Sequence, residues 1–297
     1  MRSLLNFISI VFFIVSCKAQ PKQVVLKSNS DNNTLLWEVS GKGLTKSSFL
    51  FGTFHLMCKD DINFSNPLKA AVGNVDKIYM EMDMDDPAVM LGGMMLMTMK
   101  DGKTLKDFYT EDEFKKLNQF FKDSLHMPLA LMQSIKPFFL MAMLYPKMMP
   151  CKKVSGVEEE LMKLAKINKK EILGLETMEF QSAVFDSIPY QEQATELLKS
   201  IDSMAAYTKY FDTMVNVYKN QQLAVMETLF NKSEFGMQEH QDILLDSRNK
   251  NWVNQLKNIM KKESVFVAVG AGHLPGDNGL INLLKKEGYT VRPLFNK

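Results

Sequence analysis

The run Ser264-Val265-Phe266-Val267-Ala268-Val269 is apolar almost without interruption. A strand of that composition has no face to turn to water, so it belongs in a sheet covered on both sides. Near the other end of the chain, Leu35 to Val39 and Phe49 to Gly52 read as two strands joined by a turn at Gly41-Lys42-Gly43. From Val75 to Asp83 the sequence alternates, with Ile78, Met80 and Met82 on one face and Tyr79, Glu81 and Asp83 on the other. A carboxylate thereby stands on a strand otherwise fit for burial. Short strands at Glu171 to Leu175 and Tyr289 to Leu294 complete the set.

The middle of the chain is helical. Thr110 and Glu113 make a capping box ahead of Phe114, Leu117, Phe121 and Leu125, which recur at helical spacing until Pro128. A second helix runs from Leu129 to Tyr145, bent or interrupted at Pro137, and Val157, Leu161, Leu164 and Ile167 mark a third. Tyr190 to Phe230 holds neither Gly nor Pro and reads as one or two long helices. Gln238 to Lys262 and Leu280 to Lys286 follow as helices. Strands at both ends with helices between them predict an α/β fold, or an α+β variant, in which N- and C-terminal strands share a central mixed sheet.

Composition narrows the partners. Of 297 residues, 46% are hydrophobic and 24% charged, the balance of a globular chain with a substantial core. The formal charge is only +2 and no long basic run is present, which argues against nucleic acid. Arg2 followed by the apolar stretch Leu4 to Val15 reads as a signal peptide, too short for a comfortable bilayer span. Its end, Ile14-Val15-Ser16-Cys17, resembles a bacterial lipobox, where cleavage leaves Cys17 as a lipidated first residue; a plain secretory signal or an uncleaved anchor is the alternative. The polar residues 18–33 read as a tether. With Cys17 lipidated, Cys58 and Cys151 remain as an even pair in an oxidising compartment, and a disulfide between them is expected. Two free buried thiols are the plainer reading. Zinc is less favoured, because neither cysteine lies in a CxxC or CxxH cluster.

Chemistry has few carriers, because the chain has only four histidines. Two of them close the same pattern, Gly52-Thr53-Phe54-His55 and Gly270-Ala271-Gly272-His273, each directly after a strand. Chance placement gives about 0.2 such matches in a chain of this composition. Glycine lets the backbone turn sharply as it leaves a strand and presents the imidazole at the carboxyl end of the sheet, where open α/β sheets place their sites. Glu81 can project to the same rim. Two imidazoles and a carboxylate with an open position suit a catalytic divalent metal; the plainer reading is a pair of turn histidines and a carboxylate bonded to a lysine.

The segments Leu36 to Val39, Phe49 to Leu56, Ile78 to Glu81, Gly174 to Thr177, Asp246 to Asn249 and Val267 to Gly276 together resemble the TraB/GumN family. That family includes the Tiki metalloproteases and is similar in fold to the ChaN haem-binding lipoproteins and the erythromycin esterases. The resemblance spans Leu35 to Leu294, within a single domain taken as 34–297, and Phe54 is bulkier than the isoleucine usual at its position. It implies a peptidase-like or related hydrolase site with His55 and His273 on the metal, Glu81 as ligand or general base, and Arg248 lining the site. Manganese or cobalt is the implied cofactor, with zinc as a further option, and a peptide or protein is the implied substrate. The location implied is the bacterial cell envelope, with the membrane reached through the lipid. A non-catalytic module that sequesters a peptide, haem or metal is the competing class.

Other polar residues carry plainer readings. Glu176 and Gln181 are expected to make structural hydrogen bonds, Glu158-Glu159-Glu160 to complement a helix dipole, and Asp277 and Asn278 to form a turn. His126 and His240 read as surface or structural residues. Methionine is abundant at 23 residues and dense between Met80 and Met99. Packing is favoured over copper, haem or a pliable peptide groove as its purpose.

Overall fold

The structure is a computed structural model that describes residues 32–86, 92–93, 96–231 and 238–297. The stretch read as a signal peptide, with Cys17, most of the residues read as a tether and part of the Met-rich stretch lie outside the described residues; Met80 and Met99 at its ends are core residues. Among the described residues no helix is long and apolar enough to cross a membrane.

Six strands form one mixed sheet: β1 (Leu36–Ser40), β2 (Ser48–Thr53), β4 (Lys77–Met82), β6 (Ile172–Glu176), β7 (Val265–Gly270) and β8 (Thr290–Pro293). Their order is β6-β4-β7-β2-β1-β8. β7 pairs parallel with both β4 and β2, and β6 continues the parallel set, whereas β1 runs antiparallel to β2 and β8. The sheet is therefore assembled from both ends of the chain, as expected for an α/β fold. Val265 through Val269 are all buried, which is what an apolar strand flanked by two partners requires. β4 departs from its alternating pattern: Ile78, Tyr79 and Met80 are all buried, because helices cover both faces and leave no wet side.

One consequence of four parallel strands is that Thr53, Met82, Glu176 and Gly270 end at the same edge of the sheet. The functional residues enter there.

The helical middle is more broken than its composition suggests. α1 (Asn66–Asn74) is followed by α2 (Glu111–Leu125), which opens with the expected capping box: Thr110 Oγ1 accepts from the Glu113 N–H, and the Glu113 carboxylate from the Thr110 N–H. The helix expected over 129–145 is instead a 3-10 turn (Leu129–Leu131), α3 (Pro137–Ala142) and α4 (Tyr145–Met148). Pro137 starts α3 rather than kinking a longer helix, since a first-turn proline sacrifices no hydrogen bond. α5 (Val157–Ile167) and α6 (Met178–Asp186) flank β6 in the chain. The stretch after Pro189 forms three helices, α7 (Tyr190–Asp202), α8 (Met204–Lys219) and α9 (Leu223–Asn231). The second break needs no glycine: Gln221 takes φ 55° and its side chain accepts from the Leu35 N–H and donates to the Asn296 carbonyl. The expected helix over 238–262 divides into a 3-10 turn (Gln238–His240), a π-helical turn (Asp242–Asp246) and α10 (Ser247–Ile259), and α11 (Leu280–Lys286) precedes β8.

The sheet and its covering helices share one hydrophobic core, and the middle helices bury a second around Leu105, Leu117, Phe121, Leu140, Leu144 and Leu197. Two short strands, β3 (Met57–Cys58) and β5 (Val154–Ser155), form an antiparallel ribbon. Cys58 and Cys151 are joined by a disulfide across 93 positions of sequence, which pins the ribbon. Closing so long a loop stabilises by about 2–4 kcal/mol, chiefly through the unfolded chain.

Candidate functional site

The two Gly-x-x-His turns meet at the parallel edge. A Cβ on Gly52 would stand 2.9 Å from the Ala271 Cβ and 3.0 Å from Leu274 Cδ1, so only glycine lets the second turn seat against the first strand. The 3-10 turn Ala271–His273 then drops His273 into the interior. There its ring lies 4.4 Å from the Trp252 ring, and Nδ1 is 2.7 Å from Asn249 Oδ1. An amide oxygen can only accept, so His273 carries its proton on Nδ1 and turns the Nε2 lone pair inward. Burial pushes this imidazole down to about 3, against the pull of the Glu81 carboxylate, and it is neutral at ordinary pH.

Glu81, at the end of β4, is the hub. Its Oε1 accepts the Gly270 N–H at 2.8 Å and lies 3.7 Å from His273 Nε2. Its Oε2 accepts from Arg248 Nη2 at 2.7 Å and Gln181 Nε2 at 3.2 Å. Burial works against its charge, but His273, Arg248 and His55 around it and the Gly270 N–H hold it well below the usual carboxylate range. Arg248 also meets Glu176 through Nε (3.0 Å to Oε1) and Nη2 (2.8 Å to Oε2), while Nη1 donates to the Leu244 carbonyl (3.0 Å) and lies 3.3 Å from His273 Nε2. Every N–H of the guanidinium is thus engaged. Leu244 belongs to the π-helical turn, which aims its carbonyl at the first residues of α10. Burial raises Glu176 in spite of Arg248.

His55 sits on the other side of the rim and is 78% exposed at the side chain. Its Nδ1 is 2.9 Å from Glu158 Oε1 at the start of α5. The protein mass around it disfavours the charge, yet Glu158, by hydrogen bond and by charge, together with Glu81 lifts His55 to about 9.

His55, Glu81 and His273, singled out in the sequence, therefore do converge, and they surround one point. A Cβ on Gly270 would lie 3.3 Å from Glu81 Oε1, 3.7 Å from His273 Cδ2 and 3.9 Å from His55 Nε2. The donor types suit a divalent cation, and each imidazole turns Nδ1 to an acceptor. His273 Nε2, however, already faces Arg248 Nη1 at 3.3 Å, a contact that must give way before that nitrogen takes a ligand. The three are gathered but not drawn to ligand spacing. Among the described residues no group of three or more His, Cys, Asp or Glu side chains could hold an ion as they stand.

Three residues with plainer expectations also belong here. Glu176 and Gln181 do make hydrogen bonds, but to Arg248 and Glu81 themselves. Glu158 is turned inward, and Asn249 was visible only as the neighbour of Arg248. By contrast His126 ends α2 in the left-handed region at φ 57°, and His240 pairs with Glu192 at 2.8 Å. Asn278 fits a turn, its carbonyl accepting from Asn249 Nδ2 and its amide donating to Asp246.

Comparison with known proteins gives one match: the model of the TraB/PrgY/gumN family covers residues 35–293. No curated protein and no solved structure matches.

Proposed function

The chain belongs to the TraB/PrgY/gumN family, and from that premise we propose that it is a hydrolase of amide or ester bonds, a peptidase being the leading form, with its reacting centre over Gly270. The observation that carries this reading is the convergence of His55 Nε2, Glu81 Oε1 and the His273 ring on one glycine-lined point at the carboxyl ends of parallel strands. His55, Glu81 and His273 would hold a divalent ion, manganese or cobalt by the family resemblance or else zinc, which when bound activates water and polarises a carbonyl.

The chain's own residues supply the rest. His273, neutral and fixed by Asn249, keeps Nε2 unprotonated, and that nitrogen takes a ligand once the Arg248 Nη1 contact at 3.3 Å gives way. Glu81, with Oε1 on the Gly270 N–H and Oε2 on Arg248 and Gln181, is fixed in place as an anion, which suits a metal ligand. An arginine lining such a site could meet a developing oxyanion, but that needs a free donor. With all its donors committed, Arg248 anchors Glu81, Glu176 and His273 instead. Export and lipidation at Cys17 complete the proposal, supported by the apolar leader and by a disulfide suited to an oxidising compartment.

A non-catalytic binding module is the second reading, favoured by the wide spacing of the three groups. Equilibrium dialysis with manganese, paired with a peptide-library cleavage screen, separates the two. The hydrolase reading expects one bound ion and cleavage that His55→Ala and His273→Ala abolish together with the ion. Binding without any cleavage moves the chain to the second class, and neither binding nor cleavage defeats the proposal.

A further inference from the structure

We propose that Glu158 is the positioning residue of this site: through Nδ1 of His55 it fixes the direction of the exposed imidazole, so that Nε2 faces the cradle over Gly270. The inference rests on His55 being a member of the site.

Three glutamates stand in a row at the start of α5, and only one of them turns inward. Glu159 and Glu160 reach Lys163 at 2.7 and 2.9 Å and Ser155 Oγ at 3.0 and 2.8 Å, as surface carboxylates do. Glu158 is buried, and its Oε1 is closed to solvent and accepts no hydrogen bond, while His55 Nδ1 stands 2.9 Å from it as an ion-pair contact. Burying a carboxylate is costly unless it is satisfied, so this orientation calls for the imidazole N–H as its partner.

The backbone is built for the approach. A Cβ on Gly156 would stand 2.7 Å from the His55 carbonyl oxygen and 3.3 Å from Glu158 Oε2, so only glycine allows α5 to begin this close to the histidine. The Val157 N–H donates to the Phe54 carbonyl at 3.0 Å, the Lys59 N–H to the Lys153 carbonyl at 3.0 Å, and the β3–β5 ribbon with the Cys58–Cys151 disulfide ties the segments after His55 and before Glu158. The two segments are thus held together without the carboxylate. What the carboxylate adds is the ring's orientation, since a side chain this exposed has no packing to restrict its torsions.

The test uses metal-free protein carrying nitrogen-15 in its four histidines. The His55 Nδ1 proton is expected as a slowly exchanging ring signal, lost in Glu158→Ala while the His273 signals stay as in the parent. Manganese affinity is expected to drop about 10–100-fold in that variant, with Glu158→Gln, which retains an acceptor oxygen, recovering most of it. Absence of a protected His55 Nδ1 proton in the parent overturns the proposal without any variant, as does a Glu158→Ala protein whose ring signal and affinity are unchanged. If the parent binds no manganese the hydrolase reading fails, and the ring-proton measurement still decides the positioning role.

Discussion

His55 and His273 follow parallel strands by the same Gly-x-x-His spacing and reach the same sheet edge, yet one ring is exposed and paired with a carboxylate while the other is buried against Trp252 and hydrogen-bonded to an amide. The difference begins in the two residues before each histidine. Ala271-Gly272 allows a tight 3-10 turn that folds His273 inward, and a Cβ on Gly272 would come within 2.9 Å of the Phe230 ring. Thr53-Phe54 sends its aromatic ring against Phe211 and Tyr218 and leaves His55 outside. A repeated motif thus places two like groups near one point with unlike duties: the His273 limb is part of the core, whereas the His55 limb is held from outside by the ribbon and Glu158.

That contrast breaks most visibly at Arg248. Its removal leaves the Glu81 and Glu176 carboxylates without their cation, and Arg248→Ala is expected to lose about 3–5 kcal/mol in urea unfolding. His55→Ala, on the exposed limb, is expected to lose less, about 1–2 kcal/mol, because it strands the buried Glu158 oxygen. Equal losses in the two variants would erase the distinction.

Cys151→Ser tests the outer limb alone. Loss of the disulfide is expected to cost about 2–4 kcal/mol and to loosen the His55 ring while the His273 ring signals stay unchanged. A smaller loss, about 1–3 kcal/mol, is expected for His273→Ala, which strands Asn249 Oδ1 in the interior. Calorimetry of both variants against the parent checks the order.

The pH dependence of metal-free protein separates the two histidines, which act with opposite sign. His273 is depressed from 6.5 to about 3, so the unfolded chain takes up the proton first and stability declines as pH falls below 6.5. His55 is raised from 6.5 to about 9, so its pairing with Glu158 contributes fully below 6.5 and is lost as pH rises through 9. His273→Ala should flatten the acid side of the stability profile and His55→Ala the alkaline side, measured by urea midpoints between pH 4 and 10.

Much of this was legible in the residues. The apolar run before Gly270 gave a doubly buried strand because no other placement satisfies it, and the glycine pattern located both histidines. Glu81 showed itself as a charge on a strand that was otherwise apolar. The disulfide followed from counting, though its structural task, pinning the His55 loop to the start of α5, needed three dimensions. What stayed hidden depends on orientation. Three adjacent glutamates look alike in sequence, and only the docking of Gly156 against His55 singles out Glu158. Lys136 likewise gives no sign that it is fully buried, bonded to Asp186 at 2.8 Å and Ser182 Oγ at 2.7 Å. The helix break at Gln221 lacks any Gly or Pro, since tertiary bonds and not local propensity set it.

The convergence of the two motifs on one point is tested most directly by adding manganese to metal-free protein labelled at its four histidines and following the ring resonances, because the paramagnetic ion broadens only signals close to it. The expected result is that His55 and His273 broaden together, saturating at one equivalent, while His126 and His240 keep their line widths. Broadening of one motif histidine without the other, or of neither, would contradict a shared site.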